Sequence, residues 1–381
     1  MTDLSKLNLA PLTQSINPSD VDAATRQSLQ LQYVDLINRP PLAKWRIWLA
    51  YVCAAFVILD VIFSMILVAA PWADALVNAL ELPWLAAIVY PIWTWIQYSH
   101  LLKAQNALQT LRRRNFAAAN SLTFQHTGQP SDLTPAAAFA GLPFLTYGQG
   151  APGGLLFNMA YDPNRDFLLS DYNNITDQTS VSMMFARIKL SRPVPHFLLE
   201  SPRNEMNFQA DYFKVERFNL EGDFDKYFRL YGAAGYDIDA RQIFTPDVMA
   251  ALIDVGRLFD VETVGSYLFI YDNFEFKRGS DDNDQILAKL LQAAAIVGAQ
   301  VEGQAKYYSD DRVAGSTWAM PSAPPPQLNV KTRRVKAKNL FDNIVIWLVI
   351  LAVIGGIIQA GIRGSRAETD RQSLIETTKI C

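Results

Sequence analysis

Residues 47–70 read IWLAYVCAAFVILDVIFSMILVAA, 24 positions with a single charge, Asp60. At 1.5 Å per residue such a helix covers the roughly 30 Å of a bilayer's hydrocarbon core, so the stretch is read as a membrane span. About 40 mostly polar residues precede it, whereas a cleaved signal puts its apolar core close to the first residue, so an internal anchor is expected. A second uncharged run, 82–98, is interrupted by Pro91, and its Trp84, Trp93 and Trp95 suit an aromatic belt at the membrane surface. A third run, 344–362, is uncharged and bounded by Asp342 and Arg363. Three transmembrane helices are expected.

Basic residues set the orientation. Lys44 and Arg46 open the first run, Lys103, Arg112, Arg113 and Arg114 follow the second, and Asp74 and Glu81 between them are acidic. Lys331, Arg333, Arg334, Lys336 and Lys338 precede the third. The positive-inside rule then puts both outer ends of the 44–98 hairpin, and everything from 99 to 340, in the cytoplasm, with a short external tail at 364–381. The expected locale is a bacterial inner membrane.

The composition agrees with this split. Half of the 381 residues are apolar, 19% are charged and the net charge is −3, which supplies no basic excess for nucleic acid. Residues 140–311 hold 15 basic and 25 acidic residues. Anionic lipid attracts basic necks and repels such a body, so this region is expected to stand off the bilayer.

Outward from the spans, residues 1–43 are read as a cytoplasmic segment with an amphipathic helix capped by Ser19 and ending at Pro40. Residues 99–139 are read as a helical stalk through Leu101, Ala104, Leu108 and Leu111, followed by an irregular linker from about Phe116. Residues 140–311 read as an α+β domain of mainly antiparallel strands with two to three helices. The strands are expected at 155–161, 166–172, 180–190, 196–200, 212–219 and 224–231, with a hairpin of 261–264 and 267–271 about Gly265-Ser266. Helices are expected after Thr245-Pro246 and over 284–300. A Pro-rich basic linker, 312–340, leads to the third span, 341–363.

Chemistry-bearing patterns are sparse. Gly148, Gly150 and Gly153 satisfy G-x-G-x-x-G, but a strand rather than a helix is expected next, which leaves a turn. Glu221, Asp223 and Asp225 alternate, so on a strand they share one face, as a solvated edge or as ligands for a divalent cation. Asp281, Asp282 and Asp284 lack the glycine and glutamate of a calcium loop. His100, His126 and His196 lie in separate segments, and Cys53 and Cys381 pair with nothing recognisable, so no catalytic residue, metal ligand or cofactor site is assigned. Asp60 is the one intramembrane charge: either part of a proton or ion path, or a protonated acid bonded to Ser64 or to another helix. Ala352, Gly356 and Ala360 recur every fourth residue, which permits close helix–helix approach and hence a homodimer through the third span, or packing within one chain.

The segment Leu220-Glu221-Gly222-Asp223-Phe224-Asp225-Lys226-Tyr227-Phe228-Arg229-Leu230-Tyr231, followed by Ala240-Arg241-Gln242-Ile243-Phe244-Thr245-Pro246, resembles a family of bacterial membrane proteins without an assigned activity. Its pattern is an acidic F-x-x-x-F-x-x-Y strand, an A-R-x-I/L-L-T-P helix and an aromatic hairpin. The resemblance covers about 55 residues and implies two membrane helices ahead of a cytoplasmic domain. A third helix after the domain departs from it. The functional expectation is a non-enzymatic membrane-anchored adaptor for a protein partner, with membrane lipid around its spans. The alternative is an ion- or proton-handling protein, or a cation-dependent enzyme, using Asp60 or the Glu221/Asp223/Asp225 carboxylates.

Overall fold

The computed structural model describes residues 4–29, 31, 33–40, 42–66, 73–128, 154–164, 166–175, 180–203, 208–210, 215–273, 283–310 and 330–332. The chain divides into two units, 1–34 with 105–336, and 35–104 with 337–381. The third apolar run with Ala352, Gly356 and Ala360, the tail, the Gly148–Gly153 motif, Asp281 and Asp282 lie outside the described residues.

The second unit contains α3 (Lys44–Ile66) and the first part of α4 (Ala73–Ala119). Pro91 does not break α4. A proline deletes one helical hydrogen bond, and a helix of 47 residues absorbs that loss. From Gln105 the same helix belongs to the first unit, and it runs on to Ala119.

The first unit is α+β with antiparallel strands. After α4 come β1 (Thr123–Gly128), β2 (Gly154–Tyr161), β3 (Phe167–Ile175), β4 (Ser180–Glu200), β5 (Phe208–Ala210), β6 (Val215–Phe218) and β7 (Arg229–Ala233). Next are α5 (Asp237–Ile243), α6 (Pro246–Ala251) with a π turn over Leu252–Gly256, β8 (Asp260–Asn273), α7 (Asn283–Ala305) and β9 (Val330–Thr332). The main sheet has the order β1-β2-β3-β4-β7-β6, and β8 pairs with β4. The 21-residue β4 is the spine: its first half lies between β3 and β8, its second between β7 and β8.

Two expected breaks are therefore absent. Residues 180–190 and 196–200 form one strand, and 260–273 is one strand where a hairpin about Gly265-Ser266 was expected. Both strands instead change step together. On β4, Met183 and Phe185 face the same side as Leu198; on β8, Val264 faces the same side as Tyr267, Phe269 and Tyr271. The irregularity lies at Pro193 and Pro195 opposite Gly265, which takes φ +55 and pairs with Val194. Prolines cannot donate to a ladder, and a positive φ favours glycine, so the signals that suggested a turn build a bulge.

Thr263 closes the gap. Its buried hydroxyl donates to the Pro195 carbonyl at 2.7 Å and accepts from the Phe197 amide at 3.1 Å. Thr263→Val leaves both backbone groups buried and unmet, and an unsatisfied buried group costs about 1–3 kcal/mol. Urea unfolding of the variant is expected to show a loss in that range with an unchanged slope.

Helix α7 covers one sheet face. Leu287, Leu290, Leu291, Ala294, Val297 and Val301 are buried there, and a Cβ at Gly298 would come within 2.7 Å of Ile188 Cδ1, so glycine sets the closeness of the approach. The stretch Gln285–Ala305 has the length and hydropathy of a membrane span, but half of it is buried, as a core helix requires.

Three local expectations are corrected. Residues 1–43 hold no single helix: Ser19 lies in a 3-10 turn, Pro18–Asp20, and it is Asp22 that caps the short α2 (Ala23–Ser28) by accepting from the Thr25 amide at 3.3 Å. The preceding α1 (Ala10–Thr13) sends Leu12 into the core of the first unit. The irregular linker contains β1 as far as Gly128. The expected strand 224–231 begins as a 3-10 turn, Phe224–Lys226, because Phe224 and Phe228 stack at 5.3 Å and both enter the core.

The N-terminal segment also grips the end of α4. The Asn8 amide donates to Asn120 Oδ1 at 2.6 Å, Arg112 Nε to the Gln14 carbonyl at 3.1 Å, and Arg114 to Thr25 Oγ1 at 2.7 Å. Phe116 and Ala117 of α4 are fully buried in the same core as Leu12.

Candidate functional site

The second sheet face carries the most polar buried cluster. His196 and Glu200 on β4 and Asp260 and Glu262 on β8 project to it, because Leu198 pairs with Glu262 and alternate residues share a face. His196 Nε2 meets Glu262 Oε1 at 2.5 Å, with 5% and 0% of the side chains exposed. Tyr271 Oη donates to the other Glu262 oxygen at 3.4 Å. These three side chains form one chain of hydrogen bonds across β4 and β8.

Two further acids lie alongside. Glu200 accepts from Arg229 at 3.2 Å and from Tyr231 Oη at 3.4 Å. Asp260 accepts from the Ser201 amide at 2.6 Å, and Ser201 Oγ donates to the Arg257 carbonyl at 2.5 Å, which ties the end of β4 to the π turn. Arg187, also fully buried, lies with its guanidinium 4.7 Å from the Tyr267 ring centre. Cations stack on aromatic faces at such distances, more strongly when water is excluded.

Burial dominates the electrostatics. It lifts Glu262 from its ordinary 4.5 to about 7, against the stabilising bonds from His196 and Tyr271. Burial also pushes the Tyr271 phenol well up, helped by the charges of Glu262, Asp260 and Glu200. Glu262 can therefore hold its proton up to near neutral pH. The Glu262 side chain is fully buried and that of His196 nearly so.

The residues singled out in the sequence are elsewhere. Asp60 lies within α3, its side chain outside the described residues. Glu221 and Asp223 are exposed on the turn before β7, and Asp223 pairs with Lys226 at 3.6 Å on the surface. With Asp225 inside the 3-10 turn, the three carboxylates do not share a strand face. Among the described residues, no group of three or more His, Cys, Asp or Glu is placed to hold a metal ion. His126 is on β1 and His100 on α4, so of the three histidines only His196 joins the cluster. The missed signal is D-V-E-T-V at 260–264: two acids alternating with the β-branched Val261, Thr263 and Val264 in a strand buried on both faces.

No known protein family and no curated protein matches this chain. Among solved structures it is similar to the mycobacterial trehalose monomycolate transport factor A, TtfA, over 51% of this chain and 93% of that chain, at 7% identity and a TM-score of 0.36. Likeness at that level carries no argument about this chain's fold or function.

Proposed function

We propose that this protein is a non-enzymatic adaptor of the bacterial inner membrane, which crosses the bilayer three times and presents its acidic α+β domain to a protein partner in the cytoplasm. The observation that carries the reading is the continuity of α4. The apolar helix of the second unit is the same helix whose Phe116 and Ala117 complete the domain's core. The burial of the His196–Glu262–Tyr271 cluster favours a binding role over a catalytic one. Affinity purification from membranes tests this: partners captured by the full chain are expected to disappear when 154–310 is deleted, and an unchanged set contradicts the adaptor.

The third span serves self-association in this reading. Their every-fourth spacing would put Ala352, Gly356 and Ala360 on one face of a helical span, where small side chains admit a second backbone to van der Waals contact. Crosslinking in mild detergent is expected to give a dimer that Gly356→Ile weakens. If both forms run as monomers, the small residues pack within one chain.

A further inference from the structure

Within the second unit, α3 and α4 are pinned at one level by a ring of aromatic side chains. The Arg46 guanidinium lies 5.3 Å from the Trp93 ring centre and 5.9 Å from that of Trp45. Tyr90 Oη donates to the Arg46 carbonyl at 3.4 Å, and the Tyr90 and Trp93 rings are 6.2 Å apart. From this level α3 continues about 20 residues to Ile66, and α4 has come about 20 residues from Ala73. At 1.5 Å per residue each measures about 30 Å, the thickness of the hydrocarbon core.

The outward faces are apolar. Trp45 and Trp48 are 62% and 68% exposed, and Val52 and Phe56 continue the same face of α3 at helical spacing. On α4, Val89, Trp93 and Ile96 do likewise. Among the described residues neither Lys44 nor the Arg46 side chain makes an ion pair or hydrogen bond, and the first turn of α3 holds no acid. Indole rings favour the boundary between headgroups and acyl chains, and a guanidinium matches phosphate.

We propose that Trp45, Trp48, Tyr90 and Trp93 seat this hairpin at the headgroup boundary of the bilayer and that Arg46, held between two indoles, binds the phosphate of an anionic phospholipid. This rests on the membrane-anchored reading. It moves the second span from 82–98 to about 73–93, so α4 leaves the bilayer near Thr94.

The test uses the full chain, with Cys53→Ser and Cys381→Ser, in nanodiscs of phosphatidylcholine and phosphatidylglycerol. Nitroxide labels on single cysteines at positions 52, 89 and 96 report depth by collision with oxygen and a nickel chelate. The label at 96 is expected at the phosphate level, with the one at 52 about 9 Å deeper than residue 46. A label at 96 as deep as that at 52 overturns the placement. Arg46→Gln is expected to lower the phosphatidylglycerol retained through detergent purification about fivefold, with Lys306→Gln as an unaffected control. Equal retention by Arg46→Gln and the unaltered chain, or no preference over phosphatidylcholine, overturns the phosphate site. Extraction of the unaltered chain by alkaline carbonate removes the membrane reading itself; an integral protein with the wrong depths removes only this proposal.

Discussion

Replacing His196 with alanine is expected to lower the stability of the sheet domain by about 2–4 kcal/mol at pH 8 and by distinctly less at pH 5.5, because it strands Glu262, whose side chain is fully buried. The pH dependence follows from the carboxyl's shift. In the folded chain Glu262 binds its proton with a pKa of about 7 rather than 4.5. Between those values the native state holds a proton that the unfolded state has released. The stability contribution is full below pH 4.5 and is lost as the pH rises through 7, a swing of about 3 kcal/mol. At acidic pH a stranded Glu262 is neutral, so the loss of its partner matters less. Glu262→Gln removes the titration while keeping a group that can bond both neighbours. Denaturant melts from pH 5.5 to 8 are expected to slope downward for the unaltered chain and to lie flatter for this variant. Identical slopes would show that Glu262 is already ionised at pH 5.5.

Phe197→Ala is expected to cost about 3–5 kcal/mol, the range for removing a fully buried aromatic ring. Its ring meets Phe244, at the end of α5, edge-on at 5.4 Å and Phe218 of β6 at 6.3 Å. It also lies where β4 pairs with both β7 and β8. Gly232 shows how tight the site is, since a Cβ there would come within 2.5 Å of Phe218 and 2.9 Å of Phe197. The surroundings cannot collapse into the void without moving strands, so the cost belongs at the upper end. Thermal unfolding with a matched change at an exposed site, such as Lys306→Ala, measures it.

These sites separate what local patterning reveals from what it hides. Strand alternation marked β2, β3 and both halves of β4, and the spacing of Leu287, Leu290, Leu291 and Ala294 marked α7. Each of those signals lies within a few consecutive residues. The errors occurred where one residue type serves two geometries. Pro193, Pro195 and Gly265 read as strand ends but form one bulge, because the partner strand that satisfies the interrupted ladder is about 70 residues away. The N-terminal segment failed for the same reason: Asn8 bonds to Asn120, just past α4, and Leu12 shares a core with Phe116 of α4, both more than 100 residues away, and those contacts outweigh any helical tendency of their own. Glu221, Asp223 and Asp225 alternate as a strand would, yet burial of Phe224 and Phe228 bends that stretch into a turn.

The proposed function puts the sheet domain on the cytoplasmic side of a membrane crossed by α3 and α4. Protease accessibility in two membrane preparations measures this directly. In spheroplasts, trypsin is expected to leave residues 154–310 intact, and in inverted vesicles it is expected to attack the same region while the α3–α4 hairpin remains with the bilayer. Cleavage of 154–310 in intact spheroplasts, or release of the uncut chain from the membrane by alkaline carbonate, contradicts it.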